Sequence, residues 1–338
     1  MDAFSSFLIN RFFSKNILMD SLLLCMIEFD REMIIRLQDM RSPVSYFSKV
    51  FGFNGFVNFY GIGGNLEASV TYLREGKTME ELRKSIRNHG FELTERKAGV
   101  TVRISDECFI CETVKKILSI KGAYIEVPVL VKDGDVIMRI KFFNDYAAIL
   151  QREILTDANR MDYFSIDYLG PVRDDKTWIT ENLQNIELRK LTFYVLPKNS
   201  FSLKYTKDDP SLKVEVVTRF VEKEGFLEVF YYVEGNSLQW ESSLKQIALE
   251  YEKIEKKGTN MKIYYAKIRE EGILIDPYKM TDLDLPFTYD LSIWGSRAEV
   301  SMIFEKNTLD SFFKSITRIP QKELEESELE IRYVIPYP

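Results

Sequence analysis

Cys108-Phe109-Ile110-Cys111 is the stretch of this sequence with the most chemistry to offer. Ser105 or Asp106 is placed to cap a helix there, which puts both thiols in its first turn. The positive end of the helix dipole lowers a thiol pKa at such a position, favouring redox exchange or metal ligation. A tetrahedral zinc site needs four ligands, so Cys25 and the single histidine, His89, would have to complete one with Cys108 and Cys111. Helical register gives a plainer reading: Cys111 is in step with Val114 and Leu118 as a core residue, with Cys108 half exposed. Cys108 and Cys111 are the candidate metal or redox residues. With one histidine and no Ser–His, Cys–His or phosphate-loop arrangement, no catalytic residue is assigned and no cofactor is expected.

Other suggestive stretches read as structure. Gly61-Ile62-Gly63-Gly64 sits between two alternating strands with no helix after it, so it is a hairpin tip and not a phosphate cradle. Lys223–Phe230 has the aromatic content of a base-stacking strand, but acidic residues stand beside the rings; packing within a sheet is the simpler expectation. Asp133/Asp135 and Asp282/Asp284 fall in turns, and the Lys/Glu run over Glu250–Lys257 reads as a solvated helix face.

The elements that would position these residues follow a repeating order. A length of 338 residues is too long for one small core, and 45% hydrophobic with 29% charged residues is globular composition. A leader over residues 1–19 precedes the regular pattern, with Met19 or Met26 as alternative starts; its apolar runs are too short for a membrane helix. Leu22–Phe29 reads as a strand and Arg31–Val50 as a helical region broken near Pro43. Phe56–Tyr60 and Leu66–Tyr72 alternate about a glycine turn, and Met79, Leu82 and Ile86 then share a helix face that stops at Asn88-His89-Gly90. The cleanest copy follows Ile104. Ile125, Val127, Val129 and Val131 face Val136, Met138, Ile140 and Phe142 across the four-residue turn Lys132-Asp133-Gly134-Asp135; a helix stripe of Tyr146, Ile149, Leu150 and Ile154 leads to a closing strand around Ile166.

Strand–turn–strand–helix–strand recurs twice more. In the third copy the segment PKNSFSLKYTKDDP lacks a helical period, so its first helix is expected to be lost, while a long helix is expected from Leu244 through Ile254. In the fourth, Phe287–Ile293 pairs with Ala298–Phe304, a helix carries Leu309–Ile316, and Leu329–Ile335 closes it. Preceded by a strand and helix, each copy becomes βαββαβ. The fold class is therefore α+β: tandem ferredoxin-like units, antiparallel, with helices on one face. The divisions expected are 20–104, 105–172, a polar linker over 173–184, 185–268 and 269–338.

Charge narrows the partners. The net charge is −6, with 22 basic against 23 acidic residues before Gly170 and 24 against 29 from there on. Neither half carries the electrostatic footprint of a nucleic-acid binder. Three cysteines are too few for a disulfide framework and fit a reducing cytoplasm.

The stretch SDECFICETVKKIL…VKDGDVIMRIKFF…YAAILQREI…YFSIDYLG resembles the N-terminal sensor region of archaeal regulators of the bacterio-opsin activator type. In that family a cysteine near a helix start precedes a hairpin, a short helix and a final strand; Cys108, Val136–Phe142 and Tyr163–Tyr168 match these places. The family's C-terminal helix-turn-helix is absent here, so the resemblance implies a sensor or interaction role without direct DNA binding. The expected function is a non-catalytic regulatory or ligand-sensing protein that binds a small molecule or protein partner where units meet, with self-association through sheet edges. The alternatives are an enzyme or redox/metal protein using Cys108 and Cys111, and an RNA-binding protein using a sheet face.

Overall fold

The computed structural model describes residues 29–52, 54–62, 65–73, 79–95, 99–104, 109–173, 187–195, 201–222, 225–254, 261–269, 288–294, 297–306 and 330–337. The leader, most of the Leu22–Phe29 strand, the linker beyond Arg173, the Leu309–Ile316 helix, Asp282/Asp284, Cys25 and Cys108 lie outside them. The chain divides into two compact units, one over Glu28–Ile186 and the other over Glu187–Val221 and Gly225–Tyr337. The fold is α+β with antiparallel ladders.

The first unit begins with β1 (Arg31–Gln38), where a helix was expected. Its period is two: Met33, Ile35 and Leu37 are fully buried, while Ile34, Arg36 and Gln38 on the other face are only partly so. Helix α1 (Pro43–Phe51) starts with proline at its first turn, where a missing N–H costs nothing, and ends at Gly52 in the left-handed region. A hairpin of β2 (Gly55–Ile62) and β3 (Asn65–Leu73) follows, then α2 (Met79–Asn88), β4 (Leu93–Glu95) and β5 (Gly99–Ile104). Helix α3 (Phe109–Ser119) leads to the hairpin β6 (Ala123–Lys132) and β7 (Asp135–Phe142). Asp133 and Gly134 turn that hairpin with φ of 52° and 91°, the geometry of a two-residue type I′ loop. A 3-10 turn at Asn144–Tyr146, helix α4 (Ala147–Ala158) and β8 (Tyr163–Pro171) complete the unit.

Strand order in this unit is β8-β1-β7-β6-β2-β3-β5-β4. Two sets of four are thus joined through the short β2–β6 ladder at Gly55–Val57. The leading strands do not stay with the elements they precede. β1 stands between β7 and β8, and β5 stands between β3 and β4.

The second unit repeats this order. Its elements are β9 (Leu188–Val195), α5 (Phe201–Asp208), β10 (Lys213–Glu222), β11 (Phe226–Glu234), α6 (Leu238–Ile247), β12 (Glu250–Ile254) and β13 (Lys262–Arg269). After these come β14 (Thr288–Trp294), β15 (Arg297–Glu305) and β16 (Glu330–Tyr337). The strands are ordered β16-β9-β15-β14-β10-β11-β13-β12, position for position the order of the first unit.

Two expectations about helices are corrected here. The helix thought lost in the third copy is present as α5; Leu203 and Thr206 are buried and Trp240 donates through Nε1 to Ser202 Oγ at 3.1 Å, so packing compensates for its weak period. The long helix expected through Ile254 stops at Ile247. Ala248 is extended, with φ −74° and ψ 135°, and Glu250–Ile254 joins β13 as a strand. Tyr251 and Ile254 fit a helical stripe as well as a strand; the unpaired edge of β13 decides between them.

Candidate functional site

The region with exposed chemistry in the first unit is the edge strand β8. It pairs with β1 on one side, and among the described residues no strand pairs with its other side. Its register sets Phe164, Ile166 and Leu169 opposite the buried Leu37, Ile35 and Met33. Yet Ile166 and Leu169 are 37% and 40% exposed, and Tyr163 is 48% exposed. The apolar row of the core therefore continues past its last covered strand into solvent. Charges, prolines and short lengths are how edge strands are usually protected. β8 has nine residues, one charge at Asp167, and a proline only at its end. Asp167 is already engaged, accepting from Arg36 Nε at 3.0 Å and from Ser165 Oγ at 2.6 Å. A register shift opposite Ile34/Ile35 is the strand's one irregularity.

The polar side of the same sheet fixes β8 in place. Glu32 on β1 is fully buried and accepts from Arg139 of β7 through Nε at 2.9 Å and Nη2 at 2.6 Å. Arg173, just past β8, donates to the other Glu32 oxygen at 2.8 Å, and its guanidinium stands 3.9 Å from the Tyr168 ring centroid. Arg139 also donates to the Arg173 carbonyl at 2.6 Å. Glu126 of β6 extends the cluster to Lys141 at 2.7 Å. Every charge in this cluster has an opposite neighbour, which such burial requires. The result, among the described residues, is an edge strand tied to the sheet by paired charges.

In the second unit the matching place is held by β12, which among the described residues pairs only with β13. Ile247 and Leu249, immediately before it, are 47% and 61% exposed. Glu241 on α6 ties the edge down, accepting from Tyr251 Oη of β12 at 3.0 Å and from Tyr264 Oη of β13 at 2.8 Å. Burial pushes the Glu241 carboxyl up, but hydrogen bonds from Lys245, Tyr264 and Tyr251 outweigh it and hold its pKa at about 2. Burial and the Glu241 carboxylate push both phenols up from their ordinary value.

The residues singled out from sequence that the structure describes fall on different elements. Cys111 is fully buried in α3 and disulfide-bonded. His89 follows α2; its Nδ1 lies 2.8 Å from the Ser85 carbonyl and its ring meets Phe47 edge-on at 5.5 Å. Among the described residues no three His, Cys, Asp or Glu side chains gather as a metal site. Gly61 and Ile62 end β2 in its hairpin with β3. Phe230, Tyr231 and Tyr232 of β11 are buried and cannot stack on a base, and Glu228 pairs with Arg219. Asp135 pairs with Arg36 at 3.1 Å in the hairpin that Asp133 turns.

Sequence reasoning placed Tyr163 and Ile166 in a closing strand but did not mark that strand as an edge, and it singled out Leu169 for nothing. The one available signal was a strand of nine residues with a single charge. No helix among the described residues is long and apolar enough to cross a membrane. No protein-family model matches the chain, and no curated protein matches it.

Proposed function

We propose that this is a non-catalytic regulatory protein that binds a protein partner by strand addition along β8. The observation that carries the reading is the exposure of Tyr163, Ile166 and Leu169 on a nine-residue strand whose outer side pairs with no other strand among the described residues. Such an edge offers a row of backbone donors and acceptors for affinity, and its apolar side chains supply specificity. The paired charges beneath it keep the edge in shape before binding, which lowers the ordering cost of association. A peptide-like or protein occupant suits this surface better than a small molecule, because the surface is extended and its polar groups are mainly backbone. The resemblance to sensor regions of bacterio-opsin-activator-type regulators supports the regulatory part of the reading.

The units are read as pairs of ferredoxin-like quartets. The order β8-β1-β7-β6 is that of a βαββαβ sheet with β1 as leading strand, and β4-β5-β3-β2 is the same arrangement with β5 in that place. Each leading strand serves the other quartet of its unit, and the identical order in the second unit supports a duplicated design.

A second copy is among the partners this geometry favours. Exposed apolar side chains flank an open edge in each unit, β8 in one and β12 in the other. Two different sticky edges on one chain suit head-to-tail association between copies, a heterologous contact that propagates or closes on itself.

Two measurements test these readings. A photo-cross-linking residue replacing Ile166 should give one or a few discrete adducts in cells, whereas the same residue replacing exposed Arg152 on α4 should give none. No adduct from position 166 would end the docking reading. Light scattering on the purified chain separates the occupants: assembly that Ile166→Lys abolishes identifies a second copy. A monomer at all concentrations that still cross-links in cells identifies a different protein.

A further inference from the structure

We draw no further inference here: the strongest candidate, the disulfide at Cys111 in the first turn of α3, carries nothing because its other half lies outside the described residues.

Discussion

Glu241 shows how single residues decide local stability in this protein. Three donors hold its carboxylate, so its folded pKa of about 2 lies below the ordinary value of 4.5. A depressed folded pKa contributes stability that is fully present above the unfolded pKa and is lost as pH falls towards the folded one. Acid unfolding followed by circular dichroism should therefore show stability declining from about pH 4.5 towards about pH 2. Glu241→Gln should flatten that limb; an unchanged limb would show that the carboxylate is not what binds α6 to β12 and β13. Glycines provide a steric counterpart. A Cβ on Gly122 would lie 2.0 Å from the Tyr146 ring, and one on Gly235, at φ +97°, would lie 2.6 Å from the Ser211 carbonyl. Overpacking of this kind costs about 1–3 kcal/mol. Thermal melts should rank Gly235→Ala as the worse of the two, because backbone cannot swing aside as a tyrosine ring can. Adding Tyr146→Ala should recover part of the loss at Gly122→Ala and none at Gly235→Ala.

At the scale of elements, helix packing and edge exposure follow different rules. Helices α3 and α4 are joined by Asp157, which is buried at the end of α4 and accepts from Thr113 Oγ1 at 3.1 Å and from Lys116 of α3. Asp157→Ala leaves both donors short of an acceptor, a loss of about 1–3 kcal/mol that a denaturant midpoint would register. Were the midpoint unchanged, solvent would be replacing the carboxylate and the clamp would count for little. The edge strand β8 behaves oppositely, since Ile166 and Leu169 contribute less to folding the farther they protrude. Ile166→Lys should leave the thermal midpoint within a few degrees of the parent and still weaken binding of the β8 partner, read by light scattering where that partner is a second copy. A large drop in melting temperature would mean that Ile166 serves the core and not a partner.

At the scale of the molecule, the interleaving of strands between the two sets of four predicts that each unit unfolds as one body. β1 lies in one quartet, but the chain between β1 and β6 forms the whole of the other quartet. Ile35 is fully buried in β1, and truncating such a side chain costs about 2–5 kcal/mol. Hydrogen exchange in Ile35→Ala should speed up in β3 and β5 as well as in β7 and β8, because global opening of the unit is the shared route. Faster exchange confined to β7 and β8 would show the quartets to be separate cooperative units.

By itself the sequence determined the local alphabet. Alternation in β2, β3, β6 and β7, a turn containing Gly134, and the stop at Asn88-His89-Gly90 are all written in side-chain type, because pleat, φ and helix register depend on neighbours a few residues away. The recurrence of strand–turn–strand–helix–strand was legible for the same reason. Sequence also misread Arg31–Gln38 and Glu250–Ile254 as helix, since apolar spacings of two and four overlap over short spans. Tertiary structure alone decided which strands are neighbours. Backbone hydrogen bonds form between strands whatever their side chains, so nothing local to β1 or β5 names the quartet it joins, and nothing local to β8 marks it as the last strand. Among the described residues the sheet ends at β8, and the exposure of Ile166 and Leu169 follows from that position.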